Sequence, residues 1–185
     1  MKLRWVWLIA GIVLLDAILG SWWWRRERER SQDGPILAAA ARYGVEPALI
    51  KAVVWRESWF NPRVEGRAGE AGLMQIRLPV AREWSAAEGG KAIAREQLFD
   101  PTINTRVGAW YLGKLLRRYA QADNPLLYAL ADYNAGRSNV LRWSQGSATT
   151  NSAALLAQIT FPGVKRYVES VLERRDYYRP IFPER

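Results

Sequence analysis

The sequence predicts a mainly α-helical domain with at most a small β-hairpin, preceded by one N-terminal transmembrane helix. Three observations predict it. Apolar residues recur at helical spacing through most of the chain after Asp33. Prolines open and glycines close successive periodic segments, and no alternating run long enough for a strand appears. Ahead of them, Trp5 to Trp24 is a twenty-residue run with one charge, Asp16.

At about 1.5 Å per residue, that run spans the ~30 Å hydrocarbon layer of a bilayer. Trp5 and Trp7 stand at one end and Trp22, Trp23 and Trp24 at the other, as an interfacial belt requires. A cleaved signal peptide competes: Lys2 and Arg4 make a basic start, and Gly20 with Ser21 a small-residue cut site. Ile18 suits that site poorly and the run is long. Residues 1–24 therefore read as a membrane anchor or uncleaved signal. Residues 25–34, with arginines interleaved with Glu27 and Glu29, read as a linker or helix extension. A lipid anchor on cysteine is excluded, because the chain has no cysteine.

The elements that follow are read from caps and stripes. Asp33 caps a helix with Pro35 in its first turn, and Gly44 stops it after Tyr43. Pro47 opens the next, striped by Leu49, Ile50, Val53 and Val54 and ended by Asn61-Pro62. Residues 63–78 are a glycine-rich loop with room for a small hairpin. Val80 to Glu88 is helical, and Gly89-Gly90 breaks it. Asp100 caps and Pro101 opens a helix to Tyr119, striped by Ile103, Val107, Trp110, Tyr111 and Leu115. Pro125 starts another, with Leu126, Leu127, Leu130 and Ala131, closed by Gly136. Ser138 caps a short helix to Trp143, and 146–152 is a polar loop. Helices over 153–159 and 164–177 complete the set.

Composition narrows the chemistry. The chain has 185 residues and 49% of them are apolar, enough for one real core. Net charge is +9, with +2 before Pro35 (six basic, four acidic) and +7 from there on (21 basic, 14 acidic). Such a surface suits an anionic partner: nucleic acid, lipid headgroups or an acidic wall polymer. No basic stripe interleaved with aromatics appears, so nucleic acid is not the expected partner. There is no cysteine and no histidine, which removes disulfides, serine–histidine triads and the usual zinc sites. Catalysis must rest on carboxylates, hydroxyls, lysine or tyrosine.

Glu57 follows Val54 and Val53 by three and four residues, so it shares their apolar face in the last turn of its helix. Burial and the negative end of the helix dipole both raise a carboxyl pKa. A general acid for glycoside cleavage needs such a retained proton. An inward glutamate paired with Arg56, Arg63 or Arg67 fits the position as well. Gly66, Gly69 and Gly72 permit tight turns and close backbone approach, and Gln75 offers an amide for sugar hydroxyls. The same stretch reads equally as a turn ahead of a packed Leu73-Met74-Ile76 cluster. Asn134 follows Ala131, Leu130 and Leu127 at helical spacing, which predicts an inward position, with Tyr133 on the neighbouring edge. Asn-Ala-Gly is also an ordinary helix stop.

Taken together and in order, these elements resemble the soluble lytic transglycosylase family, whose catalytic domain is lysozyme-like and related to goose-type lysozymes. The likeness is carried by Glu57-Ser58-Trp59-Phe60-Asn61-Pro62, Gly69-Glu70-Ala71-Gly72-Leu73-Met74-Gln75-Ile76 and Ala131-Asp132-Tyr133-Asn134-Ala135-Gly136. Asp100-Pro101 through Tyr111-Leu112 and Tyr167-Val168 through Tyr177-Tyr178 look similar too. The resemblance covers residues 35–180, the expected catalytic domain. It implies that Glu57 is the sole catalytic acid/base and that Gly72, Met74, Gln75, Tyr133 and Asn134 bind substrate. Ser58 would orient the acid. Two positions depart from the family pattern: Gly66 stands where a serine is usual, and 161–165 lack a usual glutamate.

The resemblance further implies peptidoglycan glycan strands as the partner, cut between N-acetylmuramic acid and N-acetylglucosamine with no cofactor or metal. Glu57 protonates the leaving oxygen while the acetamido carbonyl attacks its own anomeric carbon. Glu57 then deprotonates the C6 hydroxyl, which closes a 1,6-anhydro end, so no second enzyme carboxylate is needed. Two alternatives stand beside it. A hydrolytic lysozyme needs a second carboxylate, for which Glu65, Glu70 and Asp132 are candidates, Asp132 sitting off the apolar stripe. A membrane-tethered wall-binding or assembly protein would keep the fold without activity. Either enzyme places the domain on the periplasmic, extracytoplasmic side of a single-pass anchor in the cytoplasmic membrane. A plain count of Lys and Arg around the anchor points the other way.

Overall fold

The computed structural model describes residues 2–182. Nine α-helices are formed among them: α1 (Lys2–Arg30), α2 (Asp33–Tyr43), α3 (Pro47–Ser58), α4 (Leu78–Ala87), α5 (Pro101–Arg118), α6 (Pro125–Ala135), α7 (Arg137–Trp143), α8 (Ser152–Gln158) and α9 (Pro162–Tyr178). Short 3-10 turns lie at Arg95–Phe99 and Gly146–Thr149, the second inside the expected polar loop. The hairpin is reduced to two isolated antiparallel bridges, Glu65 with Ala71 and Ala71 with Ile76.

α6 is the centre of the domain. It packs against α5, α7 and α9, while α2 lies on α5 and α3 on α9. Leu127 through Asp132 are consecutively buried, so this helix has no solvent face over its middle turns. Pro125 fixes its first turn, and the Asn124 side chain caps it by accepting from the Leu127 amide. α3 is similarly enclosed, buried without interruption from Pro47 to Val54. Lys51 is tolerated there because its ammonium meets Asp33 at 2.6 Å and faces the rings of Phe182 and Tyr178.

Three local expectations are corrected. Asp33 is not a cap: it is the first residue of α2, engaged by Lys51, and Gln32 holds the cap position without a capping side-chain bond. Ser138 does not cap α7 either, since the helix already begins at Arg137 behind Gly136. α3 ends at Ser58, short of Asn61-Pro62. Trp59 and Phe60 take left-handed backbone (φ 50° and 60°), a costly conformation for bulky residues that turns the chain sharply. That turn leaves Glu57 in the last helical turn.

α1 runs without a break through the segment expected as a linker or helix extension, to Arg30, about 43 Å at 1.5 Å per residue. Its large apolar side chains described between Trp5 and Trp24 are all more than half exposed, unlike any other helix face. Among the described residues, no helix is long and apolar enough to cross a membrane. The expected span also contains Val6 and Leu8, and Lys2 and Arg4 precede it; these four side chains lie outside the described ones, as does Met1. The inner end of α1 meets the domain where Arg28 Nε donates to the Phe60 carbonyl at 3.4 Å.

Candidate active site

A cleft of about 420 Å³ opens between the C-terminal end of α3, the 64–77 loop and the C-terminal end of α6. Glu57, Glu70, Gln75, Tyr133 and Asn134 line it. The chain brings them together through backbone constraints that begin in the loop.

The loop is held from behind by Asn104, a fully buried residue of α5. Its Nδ2 donates to the carbonyls of Ala71 (2.8 Å) and Leu98 (2.7 Å), and its Oδ1 accepts from the Met74 amide (2.8 Å). Gly72 passes so close that a Cβ there would collide with the Leu98 carbonyl and lie 2.9 Å from Asn104 Cγ, and its φ is +78°. Both facts demand glycine. Met74 is fully buried and its sulfur packs on Gly108. Gly72 and Met74, expected to bind substrate, therefore stand behind the cleft wall and shape it. Close packing on α5 leaves neither a surface in the cleft.

Gln75 does line the cleft, with φ at 48°. Its Nε2 is committed inward, to the carbonyls of Val64 (3.0 Å) and Gly72 (2.9 Å). These bonds offset the backbone cost and leave only Oε1 to face a ligand. Tyr133 donates to the Met74 carbonyl at 2.7 Å and stacks against Tyr111, with ring centres 5.6 Å apart. Asn134 is exposed, not inward. α6 is packed on nearly every side, so helical spacing from Leu127 and Leu130 did not distinguish core from rim; the last turn projects past the packed middle into the cleft.

Glu57 sits at the cleft floor. Loss of hydration pushes its carboxyl up from 4.5 to about 7, the nearby charge of Glu70 adds to this, and the Tyr167 hydrogen bond and Arg56 oppose it. The bond runs from the Tyr167 hydroxyl to Glu57 Oε1 at 2.8 Å. Burial holds Tyr133 and Tyr167 well above the usual tyrosine range, with the Glu57 charge acting the same way, so both phenols stay neutral. No Arg or Lys forms an ion pair with Glu57 among the described residues; Arg56 turns away to Ser170 Oγ at 3.1 Å. Ser58 Oγ bonds back to the Val54 carbonyl and does not touch the acid.

Two residues of this arrangement had no assigned role in the sequence reading. Tyr167 lies on the stripe Val164, Val168, Val171 of α9, and a buried phenol needs a partner. Asn104 lies on the buried face of α5 with Val107, Gly108 and Leu112. A polar residue on an apolar stripe was the available signal in both cases. The three carboxylates considered as a second acid also separate. Glu65 is exposed and paired with Arg95 at 2.8 Å. Asp132 is buried, not off the core, and is held by Arg118 (2.6 Å) and the Tyr119 hydroxyl (2.7 Å). Both Glu70 and Asp132 contribute to the cleft lining with Glu57, but only Glu70 is without an ion-pair partner among the described residues.

An acid with a retained proton, braced by a neutral tyrosine beside a loop of tightly approached glycines, can donate and recover a proton within this cleft. Residues 34–176 match the transglycosylase SLT domain family. The chain is 37% identical over 115 residues to membrane-bound lytic murein transglycosylase C from Klebsiella pneumoniae, covering 59% of this chain and 32% of that protein. It is 33% identical over 137 residues to the soluble lytic murein transglycosylase of Escherichia coli, covering 73% of this chain and 21% of that one. The chain thus spans about a third or less of the length of these relatives. Among solved structures, an inactive mutant of the lytic transglycosylase Slt from Pseudomonas aeruginosa aligns with a TM-score of 0.71 at 28% identity, over 80% of this chain and 24% of that one. The 70-kDa soluble lytic transglycosylase in complex with bulgecin A aligns at 0.72 with 26% identity, over 82% of this chain and 24% of that one. With the family match running through α2 to α9, and the fold shared with these structures, the chain belongs to the transglycosylase SLT domain family.

Proposed function

We propose that this domain cleaves peptidoglycan glycan strands as a lytic transglycosylase, leaving 1,6-anhydro-N-acetylmuramic acid ends. The observation that carries the reading is Glu57: a buried acid with its proton held to about pH 7, in a groove shared with Gln75 and Tyr133. Tyr167 occupies Oε1, so the proton goes to the leaving oxygen from Oε2. The resulting carboxylate, disfavoured by its poor hydration, recovers a proton from the muramic C6 hydroxyl as that oxygen closes on C1. Gln75 Oε1 and the exposed Asn134 amide orient the sugars through their hydroxyl and acetamido groups. Neutral Tyr133 supplies a wall for the sugar face. The +9 charge favours adhesion to an anionic wall.

We further propose that α1 anchors the protein in the cytoplasmic membrane with residues 33–182 outside. Its exposed large apolar side chains between the Trp5–Trp7 and Trp22–Trp24 clusters support this, as does the existence of membrane-bound relatives. A reporter active only in the cytoplasm, fused after Arg185, should be silent; a signal from it would reverse the topology.

The reaction is tested by digesting purified sacculi with the full chain and with its Glu57→Gln variant, then weighing the fragments. Anhydro ends from the native chain and none from the variant are the expected result. Reducing ends would make the protein a lysozyme, and binding without fragments would make it a tether.

A further inference from the structure

We propose that Glu70 is a substrate-positioning residue of the cleft, admitted there by the absence of a side chain at Gly66. The proposal rests on the reading of this groove as a glycan site.

The geometry begins in the 66–70 turn. The Gly66 amide donates to the Glu70 carbonyl at 2.8 Å, and the Gly69 amide to the Gly66 carbonyl at 3.3 Å, so the turn closes tightly. The Glu70 side chain folds back over it, with Oε2 accepting from the Ala68 amide at 3.0 Å. A Cβ on Gly66 would collide with that same oxygen, and would lie 2.9 Å from Glu70 Cβ and 2.9 Å from Gln75 Oε1. Gly66 has no left-handed φ that would itself require glycine. Its want of a side chain makes room for the Glu70 carboxylate and Gln75 Oε1.

Two acceptor oxygens therefore converge beside Gly66 on a wall of the cleft. The Gln75 amide hydrogens are spent on Val64 and Gly72, and Glu70 makes no ion pair among the described residues. These two acceptors suit a ligand that presents hydrogens to them: sugar hydroxyls or an acetamido N–H. Glu65 and Asp132 cannot fill this place, being tied to Arg95 and to Arg118 with Tyr119.

The test measures N-acetylglucosamine hexasaccharide binding by the full chain in the Glu57→Gln background, with sacculus digestion on the native background in parallel. Losing a charge-assisted hydrogen bond should weaken binding of Glu70→Ala about tenfold. Glu70→Gln keeps an acceptor oxygen and should stay within about threefold. Gly66→Ser alone should be as weak as Glu70→Ala, because its Cβ meets the carboxylate. In the double change Gly66→Ser with Glu70→Ala the carboxylate clash is gone but the 2.9 Å approaches to Cβ of residue 70 and to Gln75 Oε1 remain, so binding should stay about tenfold down, as in either single variant. Native-like binding by Glu70→Ala, or losses that simply multiply in the double variant, would overturn the proposal. A purely structural role predicts a lowered melting temperature for Glu70→Ala, with binding lost only in proportion to unfolding. Failure of the native chain to release fragments bears on the reaction, while the binding arm still decides the role of Glu70.

Discussion

Tyr167 donates its phenolic hydrogen to Glu57 Oε1 at 2.8 Å, joining α9 to the last turn of α3 across 110 residues of chain. The bond favours the ionised carboxylate, opposing the desolvation that dominates. It also fixes which oxygen carries the proton. Tyr167→Phe should therefore raise the Glu57 pKa further, move the alkaline limb of the rate profile upward, and cut kcat about tenfold through loss of orientation. A pH–rate profile of the variant on sacculi checks both. A limb shifted downward would contradict the hydrogen-bond geometry.

For Glu57 itself, the folded pKa of about 7 lies above its ordinary 4.5. The folded chain then binds more protons than the unfolded one between these values, so stability falls as pH rises through that window. Glu57→Gln removes the buried charge. It should match the native chain near pH 4 and be more stable above pH 7, on the order of 1–3 kcal/mol. Urea unfolding at several pH values measures the gap.

On the proposed mechanism the same proton sets the rate. Acid catalysis needs Glu57 protonated, a state that predominates below about pH 7. The kcat/KM for sacculi should fall about tenfold per pH unit on the alkaline side. Glu57→Gln should reduce turnover by about 10²–10⁴ at all pH values while retaining glycan binding.

Asn104→Ala strips partners from the Met74 amide and the Ala71 and Leu98 carbonyls together. Three buried backbone groups left without bonds should cost about 3 kcal/mol or more and loosen the loop that carries Gln75. Chemical denaturation gives the stability loss. A raised KM with Glu57 titrating as before would place the damage in the loop.

The succession of helices was legible in the residue order because its signals are local: Pro47, Pro101 and Pro125 at first turns, Gly44 and Gly136 at ends, and apolar stripes between them. Glu57 was legible for the same reason, since its helical phase relative to Val53 and Val54 and its place in a last turn are properties of a short segment. What tertiary packing alone decided was the fate of groups whose partners are remote. Helical phase placed Asn134 inward, yet α6 is enclosed by α5, α7 and α9, so its end projects into the cleft and Asp132 takes a buried place instead. Met74 and Gly72 lie within three residues of Gln75 in sequence but are turned away by Asn104 and Gly108, about thirty residues onward in the chain. Tyr167 reaches Glu57 only because α3 and α9 pack together. Backbone preference acts over a few residues; the bonding of a buried polar atom depends on whichever element folding brings beside it.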